Sequence, residues 1–161
     1  KNLAGLLGAM ARLDRPELTM VVIGPTGWGD ELDVAAAGLA SPVARLGHVP
    51  TADLPALYAG AAAFCFPSFE EGFGLPVLEA MAAGAPVVTS AATATADVAG
   101  DAALLVDPRD TAGLADALAR VLDDPSVAAA LRAAGLRRAT LHSWTDTARR
   151  TLDVYRSVLD R

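Results

Sequence analysis

The chain has 161 residues, 53% of them hydrophobic, which is enough apolar material for one buried core and too little length for two domains. Thirteen Lys and Arg against nineteen Asp and Glu leave a formal charge of −6, so a chain-wide electrostatic grip on nucleic acid is excluded. The single cysteine, Cys65, excludes an internal disulfide framework and a cysteine-rich zinc site and suits a reducing cytoplasm.

In chain order, Asn2 to Leu13 reads as a helix, with Asn2 as N-cap and Leu3, Leu6, Leu7 and Met10 on one face. Leu18 to Ile23, Val43 to Leu46, Ala62 to Phe66, Pro86 to Ser90 and Leu104 to Val106 are the strand candidates. Residues 31–40, 52–60, 76–84 and 93–99 have helical composition and fall between them, and 111–122, 127–140 and 144–160 form a helical tail. This alternation predicts an α/β fold, a Rossmann-like doubly wound parallel sheet with helices on both faces and a helical C-terminus. The chain opens on a helix without an initiator Met, and the first strand of such a sheet usually lies in its middle. The expectation is therefore a central strand preceding Lys1 in a longer protein. No run reaches the roughly 18 consecutive apolar residues that a spanning helix needs.

The loops after the strands carry the unusual residues, at the sheet end where open α/β folds bind ligands. Pro67-Ser68-Phe69-Glu70-Glu71-Gly72-Phe73-Gly74-Leu75-Pro76 leads from a strand into a helix that carries Glu79. Gly72 and Gly74 allow close backbone approach, Pro76 suits the first helical position, and the free N–H groups of the first turn form an anion site fit for a phosphate or diphosphate. Glu79 is expected in that first turn, so that Glu71 and Glu79 reach one cleft, where a carboxylate can accept two vicinal sugar hydroxyls side by side. Spacing alone leaves a second reading open, in which Glu79 complements the helix dipole and Glu70-Glu71 is a solvated loop.

Other features carry less. Gly24-Pro25-Thr26-Gly27-Trp28-Gly29 fails the G-x-G-x-x-G order, and Glu31-Leu32-Asp33 is the nearest approach to an acidic metal pair, so no metal is expected. His48 and His142 lie in different loops without a triad pattern, and His142 reads as a surface or packing residue. Cys65 belongs to the core. Thr93 and Thr95 read as caps before ligand contacts. Trp144, Ala148, Leu152, Tyr155 and Leu159 share helical spacing and read as one packing face, and seven arginines from Arg132 to Arg161 read as solvated helix faces.

The run from Glu71 through Glu79-Ala80-Met81-Ala82, followed by Gly84-Ala85-Pro86-Val87-Val88, resembles the signature of family-four retaining glycosyltransferases of the GT-B fold. Lys1-Asn2-Leu3, Leu46-Gly47-His48-Val49-Pro50 with Leu54, Leu57 and Tyr58, the stretch Asp97 to Ala103, Val106-Asp107-Pro108 and Ser143-Trp144 extend the likeness over essentially the whole chain. The resemblance implies that residues 1–161 form the nucleotide-sugar donor domain of an enzyme whose N-terminal acceptor domain is absent. It implies Glu71 facing the donor sugar as the catalytic residue, and Glu79 on the ribose hydroxyls. Gly72 and the backbone amides of Phe73, Gly74 and Leu75 would meet sugar and diphosphate, Lys1 would neutralise the diphosphate, and the backbone at His48 and Val49 would hold the nucleobase. A partner arginine is expected a few residues before Lys1. The implied enzyme is bacterial and cytoplasmic, peripheral at the inner membrane, takes a nucleotide diphosphate sugar without a cofactor or metal, and leaves an apolar face through which this chain self-associates. Ser90-Ala91 and Ala96-Asp97 stand where the family often has Ser-Asn and Pro-Glu, which puts donor specificity in doubt. A non-catalytic binding module and, with less weight, a nucleotide-sugar epimerase are the alternatives.

Overall fold

The computed structural model describes residues 1–24 and 36–159. Helix α1, Leu3–Leu13, starts at Asn2, which adopts a left-handed backbone (φ 59°) and accepts the Gly5 N–H on its side-chain oxygen at 3.1 Å. The Asn2 amide nitrogen donates to the Pro108 carbonyl at 2.6 Å, so one residue caps the helix and ties it to a loop 106 positions away. Next come strands β1, Met20–Ile23, and β2, Val43–Gly47. The order continues with α2, Leu54–Gly60; β3, Phe64–Phe66; α3, Leu75–Ala82; and β4, Val87–Ser90. It closes with α4, Ala94–Ala99; β5, Leu104–Val106; α5, Thr111–Asp123; α6, Pro125–Ala139; and α7, Trp144–Leu159.

All pairings are parallel, as the β-α alternation predicts: Met20 lies opposite Val43, Phe64 opposite Val87, and Val88 opposite Leu104. The expected single sheet is, among the described residues, two: β1-β2 and β3-β4-β5. Helix α1 joins them through its apolar face. Leu6 and Leu13 pack both on the cluster around Leu7, Met10 and Met20 and on the one around Val88, Leu114 and Leu118. Strand β4 is buried at all four positions and has a neighbour on each side, so it is the centre of the larger sheet. The expected strands at Leu18, Ala62 and Pro86 begin one or two residues later, at Met20, Phe64 and Val87. The glycine run at Gly24 to Gly29, the first half of the expected helix 31–40 and the pair Glu31/Asp33 fall outside the described residues, except for Gly24 itself.

Helix α6 crosses α3 at close range, where a Cβ on Gly135 would stand 3.2 Å from Met81 Cγ. Two arginines on this helix depart from the solvated role expected of them. Arg132 donates to the Gly84 carbonyl at 2.6 Å and the Ala61 carbonyl at 3.2 Å, just past the ends of α3 and α2. Arg138 donates to the carbonyls of Val98 at 2.8 Å and Asp97 at 2.6 Å in the last turn of α4. Guanidinium groups there satisfy terminal carbonyls and oppose the negative ends of three helix dipoles. The expected packing face of α7 also departs from the sequence reading: the helix buries no residue, and Trp144, Leu152, Tyr155 and Leu159 are all exposed. An apolar stripe needs a facing surface to become a packing face, and α7 meets none that buries it among the described residues. Among the described residues no helix is long and apolar enough to cross a membrane.

Replacing Arg132 by Ala removes two charge-assisted hydrogen bonds at helix ends and is expected to lower unfolding stability by about 2 kcal/mol. Urea denaturation of the folded variant checks this; an unchanged midpoint would mean that water satisfies both carbonyls equally well.

Candidate functional site

The loop between β3 and α3 is held from beneath by β4. The Thr89 hydroxyl donates to the Phe66 carbonyl at 2.8 Å and the Ser90 hydroxyl to the Ser68 carbonyl at 2.6 Å, so the chain leaving β3 is fixed before it reaches Glu71. Gly74 then turns the backbone into α3 with φ 99° and ψ 42°, a conformation that disfavours a side chain. Its carbonyl accepts the Val77 N–H at 3.0 Å, and Pro76 lies in the first turn. The N–H groups of Phe73, Gly74 and Leu75 have no hydrogen-bond partner among the described residues. They stand where the positive end of the helix dipole is concentrated, which is the makeup of an anion site.

Lys1 and Glu71 form an ion pair there, with the Lys1 ammonium 4.8 Å from the centre of the Phe66 ring. The Glu71 side chain is only 12% exposed. Burial works against its charge, but hydrogen bonds from Lys1 and Ser68 and the attraction of the ammonium outweigh burial and hold the carboxyl below its ordinary 4.5. The Ser68 hydroxyl is fully buried and makes no hydrogen bond of regular geometry, although it lies close enough to Glu71 to favour the charged form.

Glu79 has a different partner. The Tyr58 hydroxyl of α2 donates to its carboxylate at 3.2 Å. Burial, then the charge of Glu79, pushes the phenol up to about 12, so Tyr58 stays a donor throughout the physiological range. Its ring is set by an edge-on contact with Phe64, centroids 5.2 Å apart. Because α3 starts at Leu75, Glu79 sits in the second turn, not in the first as the sequence reading has it. A carboxylate one turn in lies beside the N-terminal amides and leaves them open to a ligand.

The remaining candidates lie around this centre. His48 and Val49 follow the end of β2, and no hydrogen bond or ion pair among the described residues links them to Lys1, Glu71 or Glu79. Leu75 and Phe73 are exposed, and Phe73 meets His142 edge-on at 6.2 Å. His142 is therefore a packing residue as expected, but against the glycine loop itself, with a buried and unpartnered Nε2. Thr93 caps α4 through the Thr95 N–H, while Thr95 is wholly buried. Burial pushes the Cys65 thiol up to about 12, in keeping with a core role. Cavities of about 320 Å³ lie elsewhere, beside Ala36–Arg45 and between Arg12 and Asp116, and neither includes the Glu71–Glu79 segment. Among the described residues no three His, Cys, Asp or Glu are grouped to hold a metal.

A parallel α/β domain with a glycine turn and free helix-start amides presents an anion site outside the carboxyl ends of its strands. Residues 1–124 match the family model of glycosyl transferases group 1, and the chain belongs to that family. It is 40% identical over 162 residues to the O-antigen chain mannosyltransferase B of Escherichia coli, covering 97% of this chain and 42% of that protein. The sucrose-phosphate synthase of Thermosynechococcus elongatus superposes with a TM-score of 0.83 at 30% identity, over 99% of this chain and 43% of that one. The C-terminal domain of a group 1 glycosyl transferase from Francisella tularensis superposes with a TM-score of 0.75 at 27% identity, over 88% of this chain and 78% of that domain. The chain thus spans about two fifths of the length of the full-length relatives it matches.

Replacing Lys1 by Met leaves burial at Glu71 opposed by Ser68 without the ammonium and is expected to raise its carboxyl pKa, read from the side-chain carbon in an NMR titration. The linkage sign follows from the depressed folded value. The stability that the Glu71 charge contributes is complete above 4.5 and lost as pH falls through the lowered pKa, and the Met variant, with less depression, has less of it to lose. An unmoved titration would show that the ion pair does not persist in solution.

Proposed function

We propose that this chain is the donor-binding half of a two-domain retaining glycosyltransferase, which moves a hexose from a nucleotide diphosphate sugar to a sugar, lipid or small-molecule acceptor. The observation that carries this reading is the start of α3, with three unpartnered N–H groups between the Lys1–Glu71 pair and the Tyr58-anchored Glu79. The diphosphate takes the amides of Phe73, Gly74 and Leu75, and it draws the Lys1 ammonium from Glu71 by its higher charge. Glu71, released, faces the sugar. Glu79 accepts the two ribose hydroxyls, with Tyr58 holding its second oxygen, and the backbone at His48 and Val49 borders the base.

Departure of the nucleoside diphosphate adds negative charge beside these fixed dipoles and Lys1, so their attraction grows on the way to the transition state and lowers the barrier. The acceptor lies on the other domain, so this chain alone binds donor and transfers nothing. The mannosyltransferase among its relatives supports transfer of a hexose. In this reading the whole enzyme is a bacterial cytoplasmic protein, needs no metal, and places a second domain against the exposed face of α7.

The test is calorimetric titration of the protein with UDP, GDP and ADP and with their glucose, mannose and N-acetylglucosamine conjugates. Binding of one base series is expected, weakened about 10- to 100-fold in Glu79→Ala, as loss of charged hydrogen bonds to two hydroxyls requires. Equal binding by the variant, or none by folded full-length enzyme, would overturn the reading.

A further inference from the structure

Thr95 is buried without exposed surface, yet nothing in the sequence reading gives it a role beyond a cap. Its two branches do different things. The hydroxyl donates to the Ser90 carbonyl at 3.3 Å and lies 2.7 Å from the Thr93 hydroxyl and 3.0 Å from that of Thr89, which anchors it to β4 and the start of α4. The methyl points the other way, at the turn that opens α3. A Cβ placed on Gly74 would stand 2.7 Å from Thr95 Cγ2 and 3.4 Å from its Cα. Gly74 thus lies directly against Thr95, with its backbone in a left-handed conformation that a glycine leaves free to drift.

We infer that Thr95 is a positioning residue for the diphosphate site: its buried methyl wedges the Gly74 turn so that the Phe73, Gly74 and Leu75 amides converge on one anion. The inference rests on the donor-site reading above. The amides deliver their interaction only when aligned, and a turn that gains room on its Thr95 side loses that alignment before the helix loses its fold. Thr95 touches no ligand and acts through Gly74.

The two branches separate the role from simple packing. Thr95→Val keeps both the wedge and the volume while removing the anchor hydroxyl, so a buried carbonyl is left unpaired and the melting temperature falls. Thr95→Ser keeps the hydroxyl and removes the wedge. Titration of UDP, GDP and ADP into the complete enzyme and both variants is expected to show Thr95→Val binding within about threefold of wild type, whereas Thr95→Ser weakens it about tenfold, on the scale of misplaced contacts. The melting temperatures are expected in the opposite order, with Thr95→Val the lower. Affinities that simply follow melting temperature, or that do not change in Thr95→Ser, would overturn the assignment while leaving the donor site intact. Failure of the wild type to bind any of the three nucleotides would overturn the donor site, and this assignment with it.

Discussion

Strand β4 is buried along its whole length, yet half of its residues carry hydroxyls. That combination organises everything above it. Val87 and Val88 face into the two larger clusters of the core, and Thr89 and Ser90 meet the backbone of the neighbouring strand and loop, where a buried carbonyl without a partner would be costly. The apolar pair fixes the sheet and the hydroxyl pair fixes the exit from β3. Glu71, Gly74 and the first turn of α3 inherit their positions from two hydrogen bonds formed underneath them. A strand of four valines would pack as well and leave the loop untethered.

The charges of the site are arranged so that each carboxylate arrives already engaged. Glu71 is held by Lys1, and Glu79 by Tyr58, which Phe64 in turn keeps in place. The first partner is a solvent-facing ammonium that an incoming anion can recruit; the second is a buried phenol. One carboxylate is therefore exchangeable and the other preorganised. Under the proposed function, this difference suits one carboxylate to meet a sugar and the other to recognise a nucleoside.

Much of this was legible in the sequence because the signals are local. Strand-length Val runs separated by Ala-rich helices define the parallel α/β alternation, and Asn2 and Thr93 cap their helices through side-chain oxygens that accept the N–H groups three and two residues on. The Glu71–Gly74–Glu79 segment is likewise contiguous. What the sequence did not disclose depends on contacts across long separations. Arg132 reaches carbonyls 48 and 71 positions away, Tyr58 meets Glu79 across 21, and nothing in a run of arginines on an Ala-rich helix separates these from solvated ones. The apolar stripe of α7 was correctly seen and wrongly covered, since periodicity reveals that a face exists and not what meets it. Hydroxyls inside β4 were the one available clue to the tether, as Thr and Ser in a central strand need partners.

Helix α6 also changes how the domain can come apart. Through Arg132 and Arg138 it closes the ends of α2, α3 and α4, and at Gly135 it lies directly on Met81 of α3. Detaching α6 would strip the terminal carbonyls of three helices at once and open the groove on α3, so these four helices form a single cooperative unit instead of layers that peel separately. The anion site is built at one end of α3 and the clasp at the other. Slow amide exchange in the Leu75–Ala82 helix would therefore report on the integrity of a helix more than forty residues downstream, and an anion held at the start of α3 would slow the opening of α6 at its finish.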